Sequence, residues 1–287
     1  MTTTPNTIPT PDSNLIGDIL DAVKTAENDP WRSANTTIPT GLADLDALTG
    51  GLSPGQLTVI ASRPGIGRTT LLTNMCRHAA VEQSIPAVAY TTEETRQYFA
   101  TRILSAEASV PLHHMHTGTT TSEEWARLSS ETEKVTAAPL RILAPARLSV
   151  QQLEDEIADL VLNHGVRLVA VDGIHRIHTG PGIGAVAARL AELARELDVP
   201  VVATDQVGRG PVLRACKRPI LDDLDDATAS AADVVVLLYR EDAYVEESPR
   251  AGEVDLIVAK RRNGPCGTVQ VAVQGAFGRL VDVQVMV

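Results

Sequence analysis

The sequence predicts an α/β domain with a mostly parallel, twisted sheet that carries helices on both faces. Short apolar runs alternate with amphipathic stretches along the chain, as in parallel sheets whose strands are joined by crossover helices. One run, which begins at Leu57, leads into a glycine-rich turn and a helical pattern, and another, over residues 167–172, ends in the carboxylate Asp172. With 287 residues and 44% hydrophobic content, the chain can bury a large core.

The order of these patterns predicts three regions. Residues 1–14 are rich in Thr, Pro and Asn, and we expect a disordered tail there. Apolar residues recur at helical spacing over residues 15–27, which predicts a linker helix followed by a polar connector to residue 37. Because a helix of this length is marginal alone, it should dock on its own core or on a neighbouring subunit. The compact domain is predicted over residues 38–287.

Residues 57–72, LTVIASRPGIGRTTLL, predict a phosphate-binding loop between a buried strand and a helix. The usual pattern is G-x-x-x-x-G-K-[ST], but Ser62 stands at the first glycine and Arg68 at the lysine. Arginine keeps the positive charge and presents a wide planar fork instead of a point charge. Taken alone, the loop is also compatible with an ordinary Gly/Pro turn. The residues expected to hold a nucleotide are Ser62, Arg63, Pro64, Gly65, Ile66, Gly67, Arg68, Thr69 and Thr70.

The carboxylate at residue 172 predicts the metal-binding half of the same site. In parallel sheets, ligands bind at the carboxyl ends of the strands, where Asp172 is expected to lie. Together with the hydroxyl of Thr69, Asp172 can hold a magnesium ion. A single Asp at a strand end can also be an ordinary polar turn, but the loop and the carboxylate together predict ATP and Mg²⁺ as ligands.

Composition excludes several other classes. No apolar run approaches the roughly 18 residues of a membrane span, and the first residues lack the basic flank and apolar core of a signal peptide. We therefore expect a cytoplasmic protein without membrane contact. The three cysteines have neither disulfide-framework nor metal-ligand spacing. The net charge of −11 is unusual for a nucleic-acid-binding protein, which normally shows a basic face.

Four motifs carry a resemblance to a known family. They are PTGLADLDALTGGLSPGQL (39–57), HTGTTTSEEWARL (116–128), AADVVVLLYRED (231–242) and AKRRNGPCGTV (259–269), the last lying in a predicted C-terminal β-hairpin. Over about residues 15–282 they resemble the C-terminal motor domain of DnaB-type replicative helicases. The resemblance implies a RecA-like P-loop ATPase core in a homo-oligomer, most often a hexamer, that hydrolyses ATP on single-stranded DNA. The family's helical N-terminal domain has no match here, which leaves room for a separate replication partner.

The resemblance also assigns roles to individual residues. Glu93, in TTEE, matches the carboxylate that activates the attacking water, although it is also compatible with a solvated helix start. Gln206 matches the glutamine that senses the γ-phosphate. Lys260 and Arg262 match the pair that reaches the neighbouring subunit's nucleotide, with Arg262 as the arginine finger. Without the family match, Lys260 and Arg262 would be interpreted as ordinary basic residues of a hairpin tip. The predicted catalytic residues are Glu93, Asp172, Gln206, Lys260 and Arg262.

The predicted DNA-contacting side departs from the family. The loop after Asp172, GIHRIHTGPGIGA, offers only His175, Arg176 and His178 as candidate cations. A family segment L-R-E-S-G is replaced here by LDDAT, which places Asp225 and Asp226 where a phosphate backbone would pass. Between these two segments lies the basic cluster predicted to bind single-stranded DNA, which consists of Arg209, Arg214, Lys217 and Arg218.

Two functions follow from these features. The first is a ring-forming ATPase motor that binds single-stranded DNA weakly and in a salt-dependent way. The alternative is a degenerate paralogue that keeps the nucleotide pocket and has a regulatory or assembly role with little unwinding. The surviving catalytic positions favour the first, and the substitutions at Arg68, Asp225 and Asp226 favour the second.

Overall fold

A computed structural model of the chain describes residues 37–178 and 184–283. The predicted tail and linker helix lie outside these described residues, as does part of the loop that follows Asp172. None of the described helices has the length and apolarity that crossing a membrane requires.

Nine strands build one sheet. They are β1 (Leu57–Ser62), β2 (Ala87–Thr91), β3 (Leu140–Leu143), β4 (Leu168–Asp172), β5 (Val201–Gln206), β6 (Val234–Tyr239), β7 (Glu253–Arg261), β8 (Gly267–Gln274) and β9 (Arg279–Asp282). Their order is β3-β2-β4-β5-β1-β6-β7-β8-β9. Pairing is parallel from β3 to β6 and antiparallel from β6 to β9. The predicted α/β class with a mostly parallel sheet is confirmed.

The predicted C-terminal hairpin is present, but it is not the end of the sheet. β7 and β8 pair in antiparallel fashion, with Val258 opposite Gly267. β9 then pairs with β8 and extends the hairpin to a three-stranded meander. β9 has no clear signal in the sequence, because its four residues contain two charged positions, Arg279 and Asp282, and show no long apolar run.

The helices of the described residues are α1 (Ala43–Thr49), α2 (Arg68–Arg77), α3 (Arg96–Ala108), α4 (Leu112–Thr117), α5 (Ser122–Ala137), α6 (Val150–His164), α7 (Gly184–Leu197), α8 (Gly210–Leu213) and α9 (Asp226–Ala231). Helix α2 continues into a π-helical turn, His78–Glu82. Helices α5 and α6 each begin with a capping box, formed by Thr121 with Glu124 and by Ser149 with Gln152. These reciprocal hydrogen bonds satisfy amides that a helix start otherwise leaves without partners.

The core has two parts, one on each face of the sheet. Because successive strand residues point to opposite faces, Ile60 packs into a cluster with Met75 of α2 and Phe99 of α3. Its neighbour Val59 packs into a second cluster, which includes Ile157 of α6 and residues of α7. The predicted placement of helices on both faces is therefore confirmed.

The strand register brings Ser62, Asp172 and Gln206 to one edge. Ser62 at the end of β1 lies opposite Gln206 at the end of β5, and Thr91 at the end of β2 lies opposite Asp172 at the end of β4. Since β2, β4, β5 and β1 are consecutive neighbours, their carboxyl ends form a continuous polar edge.

Candidate nucleotide-binding site

The loop between β1 and α2 has the backbone shape of a phosphate cradle. Gly65 and Gly67 adopt positive φ values of 79° and 122°, which side-chain-bearing residues rarely adopt. A Cβ at either position would meet no atom within 4 Å, so backbone conformation and not crowding requires glycine. Ile66 anchors the loop in the core at 6% exposure. Helix α2 starts directly after Gly67 without a side-chain cap, which leaves its first amides available to an anion.

Asp172 and Thr69 meet at the base of this loop. The Thr69 hydroxyl lies 3.2 and 3.1 Å from the two carboxylate oxygens of Asp172. The hydroxyl of Thr204, on β5, donates to Asp172 at 2.7 Å and accepts from the backbone N–H of Gly173 at 2.8 Å. Burial raises the pKa of Asp172 to about 6, the Thr204 and Thr69 hydrogen bonds oppose this, and the charge of Glu93 adds to it. The Thr69 hydroxyl and the Asp172 carboxylate are therefore hard oxygen ligands that hydrogen bonds hold in a fixed orientation.

Gly173 explains how Glu93 comes to lie beside Asp172. Its φ is +85°, and a Cβ there would lie 2.6 Å from the Thr92 hydroxyl and 2.8 Å from Cγ of Glu93. Any side chain at this position would therefore displace the segment that carries the glutamate. The Thr92 hydroxyl donates to the carbonyls of Asp172 and Gly173, at 3.0 and 2.9 Å, and ties the ends of β2 and β4 together.

Arg68 turns towards the end of β1 and towards Glu93. One guanidinium nitrogen donates to the Ser62 carbonyl at 2.6 Å, and the other lies 3.1 Å from Oε1 of Glu93. The Arg68 side chain is only 6% exposed. Both nitrogens already have a partner within the protein, and phosphate binding by Arg68 stays a prediction.

Arg63 makes a different contact from the rest of the loop. Its guanidinium donates to the carbonyls of Val207 and Gly208, at 3.0 and 3.3 Å. The contact ties the phosphate loop to the segment that follows β5, and Ser62, Pro64 and Thr70 stay predicted members of the cradle.

His175 faces the nucleotide site. Its Nε2 lies 3.1 Å from the amide nitrogen of Gln206 and 3.3 Å from Oε1 of Glu93, and its Nδ1 lies 3.5 Å from Asp205. His175 is one of the candidate loop cations, and the structure places its side chain beside these three residues. The reason is the 3-10 turn Ile174–Arg176, which buries Ile174 completely and turns the imidazole inward.

Lys260 and Arg262 lie at the opposite edge of the sheet from the phosphate loop. Arg262 Nε lies 2.9 Å from Asp233, whose other carboxylate oxygen accepts from the backbone N–H of Leu57 at 3.0 Å. Lys260 donates to two carbonyls near the end of α9, at 2.7 and 3.0 Å. Leu57 begins β1 and Ser62 ends it, so roughly 17 Å of strand separates Arg262 from the cradle of its own chain.

Two cations of the predicted DNA cluster are engaged in ion pairs. Arg214 makes a two-pronged contact with Asp223, including a hydrogen bond of 2.8 Å, and Arg218 lies 2.6 Å from Asp255. Both carboxylates are nearly buried, at 4% and 3% exposure. Burial acts to raise the pKa of Asp223, but hydrogen bonds from Arg214 and the Ile220 amide, with the Arg214 charge, hold it below its ordinary value.

The other charged residues of this region are exposed or make local contacts. Arg209 is exposed, and Lys217 donates to the Val212 carbonyl at 2.6 Å. Asp225 caps α9, since its carboxylate accepts from the backbone N–H of Thr228 at 3.1 Å. Asp226 is exposed in the first turn of that helix. The two aspartates look alike in the sequence, and the structure distinguishes the capping Asp225 from Asp226.

A glycine-rich cradle after β1, a Thr–Asp pair and an adjacent glutamate at neighbouring strand ends define a P-loop nucleoside-triphosphatase core of the RecA-like type. Comparison with known proteins narrows the class. The chain belongs to the DnaB-like helicase C-terminal domain family, whose model matches residues 37–282. The family resemblance inferred from the sequence motifs is thereby confirmed.

Relatives and solved structures agree with this assignment. The chain is 40% identical over 256 residues to the replicative DNA helicase DnaB of Leifsonia xyli subsp. xyli (strain CTCB07), covering 86% of this chain and 56% of that protein. It is 30% identical over 260 residues to the corresponding Geobacillus stearothermophilus protein, with 87% and 57% coverage. A solved structure of an isolated ATPase domain superposes with a TM-score of 0.85 at 27% identity, over 95% of this chain and 100% of that one.

A second solved structure, of a DnaB-like replicative helicase and its interactions with primase, gives a TM-score of 0.84 at 25% identity. The match covers 98% of this chain and 69% of the chain in that structure. The chain spans little more than half the length of the curated relatives named above.

Proposed function

We propose that the chain is an ATP-hydrolysing motor domain that works in a homo-oligomeric ring on single-stranded DNA. One observation carries the proposal: Thr69, Asp172 and Glu93 converge beside the phosphate loop, at the ends of neighbouring strands. Phosphoryl transfer depends on positioning and on charge stabilisation, and this edge of the sheet brings the required groups together.

Thr69 and Asp172 would hold Mg²⁺, because a hydroxyl and a carboxylate at 3.1–3.2 Å form the oxygen pair that this ion prefers. When bound, Mg²⁺ supplies positive charge to the terminal phosphates. Glu93 accepts the proton of the attacking water, and Gln206, at the end of β5, monitors the γ-phosphate. The backbone N–H groups of Arg63 and of residues 65–69, which include the uncapped start of α2, bind the phosphate oxygens.

Arg262 supports the oligomeric part of the proposal. It lies at the far edge of the sheet from its own cradle, and its side chain is 52% exposed. A finger in this position reaches a nucleotide only if that nucleotide belongs to a neighbouring subunit. Lys260 lies beside it, and its pKa is lowered by burial and by the charge of Arg262. We propose a hexamer, as the family resemblance implies.

Single-stranded DNA is the proposed polymer, contacted by Arg209, Arg214, Lys217 and Arg218. The charges of Arg214 and Arg218 are each partly neutralised by a carboxylate partner, so we expect weak binding that falls steeply with salt. One structural relative is described together with primase. A separate replication partner is therefore part of this proposal.

Steady-state ATP hydrolysis tests the proposal, measured with and without a single-stranded oligonucleotide and with and without Mg²⁺. We expect magnesium-dependent turnover that DNA stimulates, and light scattering should show a multimer at high protein and ATP concentration. Failure to bind ATP at millimolar concentration would refute it. ATP binding without hydrolysis, in a chain that assembles, would support the regulatory alternative instead.

A further inference from the structure

We propose that His175 is a positioning residue that couples Gln206 to Glu93, so that the occupancy of the γ-phosphate site sets the orientation of the glutamate. The inference rests on the proposed function and adds a residue to it. His175 lies between two groups that come from different strands, Glu93 after β2 and Gln206 at the end of β5.

The imidazole is held in place from its own backbone. The turn that carries it is closed by hydrogen bonds from the N–H of Arg176 to the Gly173 carbonyl, at 3.0 Å, and from the N–H of Ile177 to the Ile174 carbonyl, at 3.1 Å. The His175 side chain is 17% exposed. It is therefore a fixed point between two side chains that rotate about several bonds.

A single ring nitrogen serves both neighbours. Nε2 is 3.1 Å from the Gln206 amide and 3.3 Å from Oε1 of Glu93. One imidazole nitrogen carries either one N–H or one lone pair, so it makes one full hydrogen bond at a time. The glutamate carboxylate can only accept, whereas the Gln206 amide can donate or accept. What His175 offers to Glu93 therefore depends on how Gln206 is engaged.

The opposite side of the ring has an anionic neighbour, although Nδ1 makes no hydrogen bond to it. Nδ1 faces the carboxylate of Asp205, which is 2% exposed and accepts from the backbone N–H of Gln206 at 2.7 Å. The far side of Glu93 is held by Arg68, at 3.1 Å from the same Oε1. With the ring proton on Nε2, this N–H can be donated either to the oxygen of the Gln206 amide or to Glu93. When Gln206 turns to a γ-phosphate, the Nε2–H is left to Glu93 alone, and the glutamate is drawn towards His175 and away from Arg68.

The test uses the full chain with His175→Ala, His175→Gln and the control His164→Ala, which removes a histidine at the exposed end of α6. For His175→Ala we expect kcat to fall about 10- to 100-fold, with KM and the affinity for a non-hydrolysable ATP analogue changed less than about twofold. The glutamine variant should recover part of the rate because its amide again offers a hydrogen bond. In a Gln206→Ala background, the loss caused by His175→Ala should shrink, since the coupling is already gone.

A second measurement does not need hydrolysis. Hydrogen–deuterium exchange of the peptide that contains residues 92–95 should differ between ADP and the ATP analogue in the unmodified chain, and the difference should vanish in His175→Ala. Equal exchange in the two nucleotide states of the unmodified chain overturns the inference, as does additivity of His175→Ala and Gln206→Ala in kcat. If the unmodified chain binds nucleotide but hydrolyses none, the proposed function fails, and the exchange experiment still decides the role of His175.

Discussion

In the nucleotide pocket, Asp172 ends β4 and Glu93 closely follows β2, whereas in the segment after β5 the charged side chains come from turns that flank a four-residue helix, α8. Both regions follow the same edge of the sheet. In the pocket, Arg68 pairs with Glu93 and the Thr69 hydroxyl contacts Asp172, around an open cradle. In the segment after β5, Arg214 and Arg218 are each paired with a nearly buried carboxylate.

The difference concerns what a ligand must displace. A nucleotide meets uncapped amides at the start of α2 and an oriented Thr–Asp pair, so little has to be broken. A DNA phosphate that takes Arg214 leaves Asp223 unpaired in a site where it is 4% exposed, and an unpaired buried charge is costly. We therefore expect a nucleotide to bind with little rearrangement of the pocket. We expect DNA to bind weakly to the segment after β5.

The largest effect is expected at Arg262. Arg262→Ala should lower ATP hydrolysis by about 10³-fold, because an arginine finger stabilises charge that develops only in the transition state. Nucleotide affinity, measured by calorimetry, should be unchanged. Loss of binding and hydrolysis together would indicate instead that the contact of Arg262 with Asp233 is structural.

Mixing experiments sharpen this prediction. Subunits with Arg262→Ala retain an intact pocket, and subunits with Glu93→Gln retain an intact finger. If the finger acts across a subunit boundary, mixtures of the two inactive variants should regain part of the activity. A mixture that stays inactive although mixed rings form would contradict action in trans.

The next largest effect on ATP hydrolysis is expected for Glu93→Gln. We expect a loss of about 100-fold or more in hydrolysis with ATP binding retained, because the amide cannot accept the proton of the attacking water. The matched control is Glu94→Gln, since the Glu94 carboxylate is paired with Arg102 at 3.1 Å and faces a different neighbour. Equal losses in both variants would show that the acidic pair stabilises the fold and is not specific to the chemistry.

The two regions also differ in how far the sequence predicts them. Apolar runs that end at Ser62 and Asp172 locate strand ends, and parallel topology then forces those ends together, so the pocket follows from local patterns. The role of His175 depends on a three-residue turn, and the pairing of Arg218 with Asp255 joins residues 37 positions apart. Neither the turn nor the ion pair produces a periodic pattern in the sequence. The capping by Asp225 has a local signal, because Asp is among the residues preferred at helix N-caps.

A smaller effect is expected at Arg68. Arg68→Lys should raise kcat by about fivefold, corresponding to about 1 kcal/mol, because a lysine cannot hold both the Ser62 carbonyl and Glu93 in the present forked geometry. The glutamate is then free to meet the water. Stopped-flow or steady-state phosphate release measures the change. Lower turnover in the lysine variant would mean that the pocket depends on the arginine fork.

The smallest effect is expected in the DNA segment, where substitutions of Asp225 and Asp226 can be compared with each other. Asp226→Arg removes a repulsive charge at an exposed position and should tighten binding of a single-stranded oligonucleotide by about 1 kcal/mol, roughly fivefold, with the gain shrinking as salt increases. Asp225→Arg makes the same charge change but removes the cap of α9, so it should also lower the free energy of unfolding by about 1 kcal/mol. Fluorescence anisotropy at two salt concentrations, with the chain in the ATP-bound state, measures the affinities, and Glu133→Arg on α5 controls for net charge alone. If Glu133→Arg tightens binding as much as Asp226→Arg, the effect is general charge attraction, and α9 does not face the DNA.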